Sequence, residues 1–312
     1  MVLTVTLNAC VDKAIFISRM KKGKFNNGTW WHDVGGGKGA NAARMLHRLG
    51  VPVRPLIILG GRSGQRVADL LREEDGMDPI VVWTKAPTRT IVTIREEEPR
   101  INTAFVERSP DVTKEEVVRL MREYEKAIKR VRIVTFGGSA PCRILEGVYA
   151  KMIRLARARG ILTILDSRDG AFRRGIPARP FMVKPNVVET ESLLGRKLES
   201  EDQMWEAIGW YRSKGIEAVV LSMGRKGALV SWGDAKWWVR SPRVRTINPV
   251  GSGDCLVGGI AAGLCWGWEP AECVRLGIAC GAANAAVWDP AYVTKKQVEA
   301  LLDKVRLTRL VC

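Results

Sequence analysis

The segment best suited to chemistry is NPVGSGDCLVGGIAAGL, residues 248–264. A strand-like lead-in runs into Gly251-Ser252-Gly253-Asp254, and a helical run of small residues follows. Glycines at a helix start let a phosphate approach the backbone. The unpaired N–H groups there, with a dipole worth roughly half a positive charge, favour an anion. Asp254, in the first turn, would sit beside such a phosphate and can take a proton from an attacking hydroxyl. An ordinary first-turn aspartate after a glycine loop has the same sequence, and this segment alone does not choose between the two.

Three further segments carry polar residues at suggestive spacing. In GGGKGANAAR, residues 35–44, Gly35, Gly37 and Ala40 fit the G-x-G-x-x-A spacing of a dinucleotide turn. No acidic residue near position 60 completes that motif, and Gly39 after Lys38 excludes a Walker A loop. Gly36, Gly37, Lys38 and Asn41 at a helix start suit hydrogen bonding to a polyol, or simply form a tight strand-to-helix turn. In VKPNVVETE, residues 183–191, Lys184 can reach a phosphate. Asn186 and Glu189, three apart on one helix face, suit a hydrated magnesium ion, or equally a helix cap. LSMGRKGAL, residues 221–229, is a tight glycine turn.

Composition removes several function classes. The 312 residues are 46% hydrophobic, enough for a large core. No apolar run approaches the roughly 18 residues of a membrane span. The opening MVLTVTLNAC lacks a basic leader and reads as a strand, so a cytoplasmic protein is expected. Seven cysteines without a C-x-x-C pair argue against a disulfide framework or a cysteine zinc site. With two histidines, His32 and His47, a Ser-His-Asp hydrolase or a histidine-ligated metal centre has little support. Lys plus Arg is 50 against 33 Asp plus Glu, a net charge of +17. Residues 119–180 alone hold 15 basic and 5 acidic side chains. These basic residues fall on the solvated faces of helices, without the interleaved aromatics of a single-strand platform, so nucleic acid is not the expected partner.

The elements that must position these residues alternate. Strands are predicted at 2–7, 53–59, 80–83, 131–135, 161–165, 181–183 and 217–221, with a ribbon at 228–240. Helices are predicted at 38–49, 63–74, 114–130, 143–158 and 201–213, with mostly helix after the glycine segment. Thr113/Glu116, Ser200/Gln203 and Thr294/Gln297 read as capping boxes. This rhythm predicts a doubly wound α/β fold, a mostly parallel sheet with helices on both faces. Strands near 14–17 and 29–34, and a hairpin at 89–95 and 101–106 around EEEPR, break it. They read as a small separate β lid.

Taken in order, the four segments resemble those of the ribokinase-like carbohydrate kinases, the PfkB family. NACVDK is similar to the family's N-P-x-x-D opening, VKPNVVE to K-P-N-x-x-E and VGSGDCLVGG to its G-A-G-D signature. The chain most resembles the hexose-phosphate branch, which includes 1-phosphofructokinase, tagatose-6-phosphate kinase and the minor 6-phosphofructokinase. The resemblance implies a single ribokinase-like domain over 1–312, with a lid of about 13–34 and 88–107, often dimeric through the lids. It implies Asp254 as general base and Gly251, Ser252 and Gly253 as the anion hole. Asp12, Gly36, Gly37, Lys38 and Asn41 would bind the sugar. Lys184, Ser222, Gly224 and Gly227 would meet ATP, with Asn284 near the adenine. Asn186 and Glu189 would hold Mg2+ through water. Lys24, Arg89 and Ser139 match a clamp for a substrate phosphate. Ile91 and Thr93 stand where that branch often has another basic residue, which leaves an unphosphorylated sugar or nucleoside as the alternative acceptor.

Overall fold

A computed structural model describes residues 1–98 and 101–310. Pro99 and Arg100 of the EEEPR turn, and Cys312, lie outside the described residues. In chain order the elements are β1 (Val2–Thr6), β2 (Cys10–Ile17), β3 (Trp30–Gly36), α1 (Lys38–Arg48), β4 (Val53–Gly60), α2 (Gly61–Asp69), β5 (Ile80–Thr84), β6 (Arg89–Glu96), β7 (Asn102–Val106), α3 (Lys114–Ala127), β8 (Ile133–Gly137) and α4 (Val148–Arg157). They continue as β9 (Leu162–Asp166), α5 (Asp169–Gly175), β10 (Met182–Val183), α6 (Val187–Leu194), α7 (Glu201–Ser213), β11 (Ala218–Ser222), β12 (Ala228–Trp232), β13 (Ala235–Arg240), α8 (Ser252–Trp266), α9 (Pro270–Ala285), α10 (Lys295–Leu302) and β14 (Arg306–Leu310).

Ten strands form the main sheet, in the order β14-β13-β12-β11-β10-β9-β8-β1-β4-β5. From β5 to β11 every pairing is parallel, and β12, β13 and β14 continue antiparallel. Side chains alternate across this sheet with the period of two that strands impose. On β11, Ala218 and Val220 join a core with α1, α8 and α9, while Val219 and Leu221 join one with α3, α4 and α7. Both faces are thus covered, as a parallel sheet requires.

The second sheet has the order β3-β2-β6-β7, with β2 and β6 parallel and the outer pairs antiparallel. It is tied to the body by polar and aromatic contacts. His32 Nδ1 lies 3.1 Å from Asp289 Oδ2, and Nε2 lies 3.5 Å from Glu74 Oε2. Phe16 of β2 packs between Trp30 of β3, at 4.7 Å, and Trp288 of the body, at 5.2 Å between ring centroids.

The three capping boxes form as expected, and Asn186 with Glu189 makes a fourth. Helix 63–74 begins at Gly61 and widens into a π turn over Leu70–Glu74. Helix 143–158 is shorter: Arg143–Leu145 is a 3-10 turn and the helix proper starts after Gly147. The expected strand before Gly251 is instead an irregular segment over 241–249. Two elements escaped prediction. α5 (DGAFRRG) has two glycines and poor intrinsic propensity, yet buries Ala171 and Phe172. β14 is a short edge strand, RLTRL, in place of helix.

Helices α8 and α9 approach through small residues. A Cβ on Gly277 would lie 2.8 Å from the Leu256 carbonyl oxygen and 2.7 Å from Ile260 Cγ1, and one on Gly259 would lie 2.8 Å from Gly277 Cα. Buried Cys255, Cys273 and Cys280 serve here as small packing residues. The contact with backbone cannot relax cheaply. Gly277→Ala gains ~1 kcal/mol of helix propensity, but overpacking costs ~1–3 kcal/mol. The expected outcome is a net loss, seen as a melting temperature lower by about 2–5 °C.

Candidate active site

The carboxyl ends of β1, β8, β9, β10 and β11 open into one cavity of about 1010 Å³, with Asp12 of β2 and Arg89 and Ile91 of β6 at its lid side. Parallel sheets place such clefts at these ends, because every strand-to-helix loop emerges there. The lining brings together Asp12, Gly37, Lys38, Asn41, Arg89, Ser139, Lys184, Asn186, Glu189, Ser222, Gly224, Gly227 and residues 251–254.

Helix α8 starts at the cavity floor. Its cap, Gly251, has φ 82°, a left-handed conformation that glycine adopts without strain. Asp254 is 6% exposed, and its Oδ2 accepts a hydrogen bond from Asn41 Nδ2 at 2.8 Å. Burial pushes its carboxyl up to about 6; Asp166 adds to the rise, while Lys38, the Asn41 hydrogen bond and Lys184 oppose it. A carboxylate so placed is ionised at neutral pH yet basic enough to accept a proton. Asn284, expected near an adenine, is not itself among the lining residues, although its neighbours Gly281, Ala282 and Ala285 are. It lies 1% exposed behind the glycine loop, where Nδ2 donates to Val250 O at 2.8 Å and Ser252 Oγ at 3.0 Å. Its Oδ1 accepts from Ala291 N at 2.7 Å. The NH2 holds the glycine loop, and the oxygen ties it to the backbone at Ala291.

A charge cluster flanks the floor. Asp166, at the end of β9, accepts from Lys38 Nζ at 2.8 Å and lies 3.2 Å from Lys184 Nζ. Burial alone would raise the Asp166 pKa, but the two lysines outweigh it and hold the carboxyl below the usual range. The ammonium of Lys38 is depressed by burial but raised more by Asp166, Asp254 and Glu189. Lys184 Nζ also lies against Gly253, 3.2 Å from where a Cβ would stand. Lys38 therefore faces carboxylates, which suits a phosphate more than the polyol expected for it. Asn186 Oδ1 accepts from Glu189 N at 2.7 Å, and Glu189 Oε2 accepts from Asn186 N at 2.9 Å. That is the capping alternative, yet both residues line the cavity, and Glu189 Oε1 lies 3.7 Å from Lys38 Nζ.

At the lid side, Asn8 Nδ2 donates to Ser109 Oγ at 2.9 Å and Ser139 Oγ at 3.2 Å. Asn8 Oδ1 and Arg89 Nε are buried without a hydrogen-bond partner. Such unspent polar atoms beside a cavity suit a polar ligand. Burial raises the Asp12 pKa, with Arg95 opposing and Asp289 adding. Two expected residues are not among those that line the cavity. Lys24 stands on the exposed loop between β2 and β3, away from the cavity. Gly36 does not line it either; its role is steric, since a Cβ there would meet Cys10 Sγ at 2.8 Å. Sequence reasoning missed Asn8, Asp166, Arg168 and the segment 241–246, all on or beside the cavity. A lone polar residue just past a buried strand, as in VTLN and TILD, was the available signal for the first two.

Comparison with known proteins bears on the family and the fold. The model of the pfkB family of carbohydrate kinases matches residues 5–290. A Thermotoga maritima structure described as a possible 1-phosphofructokinase is 25% identical over 99% of both chains, with a TM-score of 0.86. Phosphofructokinase-2 from Escherichia coli, in its tetrameric inhibited form, is 24% identical over 97% of this chain and 98% of its own, with a TM-score of 0.89. Arabidopsis thaliana ribokinase, 19% identical over 96% and 98%, shares the fold at a TM-score of 0.78.

The raised pKa of Asp254 has a sign that stability can test. The folded state binds this proton more tightly than the unfolded chain, so Asp254 favours folding below its ordinary pKa of 3.8 and loses that contribution as pH rises through about 6. Asp254→Asn removes the buried charge. It should stabilise the protein at pH 8 by roughly 1–3 kcal/mol, and the gain should fade towards pH 4. Denaturant melts of both proteins across that range check it.

Proposed function

The chain belongs to the pfkB family of carbohydrate kinases, and from that premise we propose that it transfers the γ-phosphoryl group of ATP to a hydroxyl of a sugar phosphate, with Asp254 as general base. The observation that carries this reading is Asp254 beside the open N-terminus of α8, on the floor of a cavity with cationic groups at both ends. The acceptor is of the fructose 1-phosphate, tagatose 6-phosphate or fructose 6-phosphate type. Support comes from Arg89, Asn8 and Ser139 at the lid side, a cation and donors that suit a phosphate dianion. The E. coli relative has been solved in complex with fructose-6-phosphate.

In this reading Asp12 and Asn41 orient the sugar. Asp254 takes the proton of the attacking hydroxyl. The amides at 251–253 receive the charge that develops on the transferred group, already oriented before reaction. Lys184 and Lys38 leave their shared partner Asp166 in part to meet the nucleotide phosphates, and Ser222, Gly224 and Gly227 line the ATP side. Glu189, with a carboxylate oxygen free of the cap, and Asn186 fit a hydrated Mg2+, which needs few protein ligands and would neutralise phosphate charge. The six cysteines among the described residues are free, which suits the cytoplasm. Among the described residues no helix is long and apolar enough to cross a membrane. We assign a homodimer through the lids, because Phe25, Trp30, Trp31, Phe105 and Val106 are all more than half exposed on them.

Release of ADP from magnesium-ATP should follow addition of one hexose phosphate, and not of fructose, ribose or a nucleoside. Asp254→Asn should cut kcat by about 10²–10⁴. Arg89→Ala should raise the acceptor's KM at least about tenfold with little change in kcat. Ile91 on the cavity wall favours a second reading, an unphosphorylated acceptor. Turnover of a free sugar alone, with Arg89→Ala neutral, would establish that reading and discard the phosphate-binding role.

A further inference from the structure

Arg44 is the only arginine among the described residues with no measurable exposure, and it does not itself line the cavity. Its guanidinium carries five N–H donors in one plane. Nε donates to Asp75 Oδ1 at 2.8 Å and Nη2 to Asp75 Oδ2 at 2.7 Å, a bidentate pair with both side chains fully buried. Nη2 also donates to Gly35 O at 2.8 Å. Nη1 donates to Pro290 O at 3.2 Å and to Asn41 Oδ1 at 3.0 Å. Every donor direction is therefore taken, and the Tyr292 ring lies 5.0 Å from the guanidinium carbon. A buried cation this fully partnered is held in one orientation.

The bond to Asn41 has a consequence for the floor of the cleft. An amide presents an oxygen on one side and an NH2 on the other. Arg44 has no acceptor, so the side of Asn41 facing it must be the oxygen. The NH2 is then turned to Asp254 Oδ2, 2.8 Å away. The reversed amide would set a carbonyl oxygen against the carboxylate and repel it. We propose that Arg44, anchored by Asp75, is a positioning residue that fixes the Asn41 amide with its NH2 towards Asp254 and so sets the basicity of that carboxylate. Asp254 is otherwise faced by Lys38 from α1, Lys184 after β10 and Asp166 at the end of β9, and none of these contacts Arg44. Arg44 also clasps the residue before the glycine turn, Gly35, and the loop carrying Pro290, whose neighbour Ala291 holds Asn284 and hence the anion-hole loop. The inference rests on Asp254 acting as the base, and it makes one claim that does not need turnover.

The test removes the anchor while sparing every residue of the cleft. Arg44→Met with Asp75→Leu deletes both buried charges together, the form of change that buried pairs tolerate best. Asp75→Asn is a milder second variant that retains Arg44. The midpoint of Asp254 is read by carboxyl 13C NMR across pH, with its signal assigned by its loss in Asp254→Asn. The double variant should raise the midpoint by about one pH unit, and Asp75→Asn should raise it less. In turnover, the acid limb of kcat should move up with it and kcat should fall on the order of tenfold, with KM near the wild-type value. In an Asn41→Leu background the same double change should have almost no further effect on the midpoint, because the relay is already cut. An unmoved midpoint in a folded double variant overturns the proposal, and so does an equal shift in both backgrounds. Absence of sugar-phosphate turnover in the wild type would count against the proposed function, while the NMR midpoint would still decide the role of Arg44.

Discussion

An ionised carboxylate in a dry site costs several kcal/mol even after the protein relaxes around it, and the body of this chain is organised about that cost at Asp254. The start of α8 offers unpaired N–H groups and a positive dipole end. Asn41 gives one hydrogen bond, and the ammonium groups of Lys38 and Lys184 stand in the same pocket. These do not fully offset burial, because Asp166 claims both lysines at 2.8 and 3.2 Å. The result is a carboxylate that stays charged at neutral pH but is only weakly content to be so. That balance is what proton transfer needs, and a stronger stabilisation of the anion would remove it.

The same balance explains why the cluster is so compact. Two lysines face two aspartates and a glutamate, so each cation is already matched by a carboxylate before any phosphate is present. In the proposed reaction an incoming polyphosphate would compete with Asp166 for cations that are already in place and already desolvated. The ordering cost of two long side chains is met when the protein folds, not when the ligand binds.

Much of this was legible in the sequence wherever the backbone itself is the constraint. Gly251 and Gly227 have positive φ, and the capping boxes of α3, α6, α7 and α10 join side chains only three residues apart. Local rules of that kind survive folding unchanged. Roles set by long-range packing were harder to see. Asn284 lies in an apolar helix, and only the fold shows that it holds a loop more than thirty residues earlier. Asp166 is a single acid at a strand end until two lysines from distant segments converge on it. Arg44 looks like one more basic residue in a chain of net charge +17, yet it is wholly buried. Lys24 matched a motif by order, while the lid carries it to an exposed loop. Four of the eleven tryptophans, which had no role in the sequence, make tilted or edge-on ring contacts across the lid contact or at the end of α8.

The stack of Trp30, Phe16 and Trp288 crosses from the small sheet to the body, with Arg95 5.5 Å from the Trp288 ring. Two indoles thus bracket the seam along which the sheets meet. Each is partly wet and sits beside a cation, a hydrogen-bonded histidine or another ring, all of which tune indole emission. Any shift of the small sheet must change at least one of these surroundings. The molecule therefore carries a native optical gauge of its own lid, readable by ultraviolet fluorescence without attaching a dye.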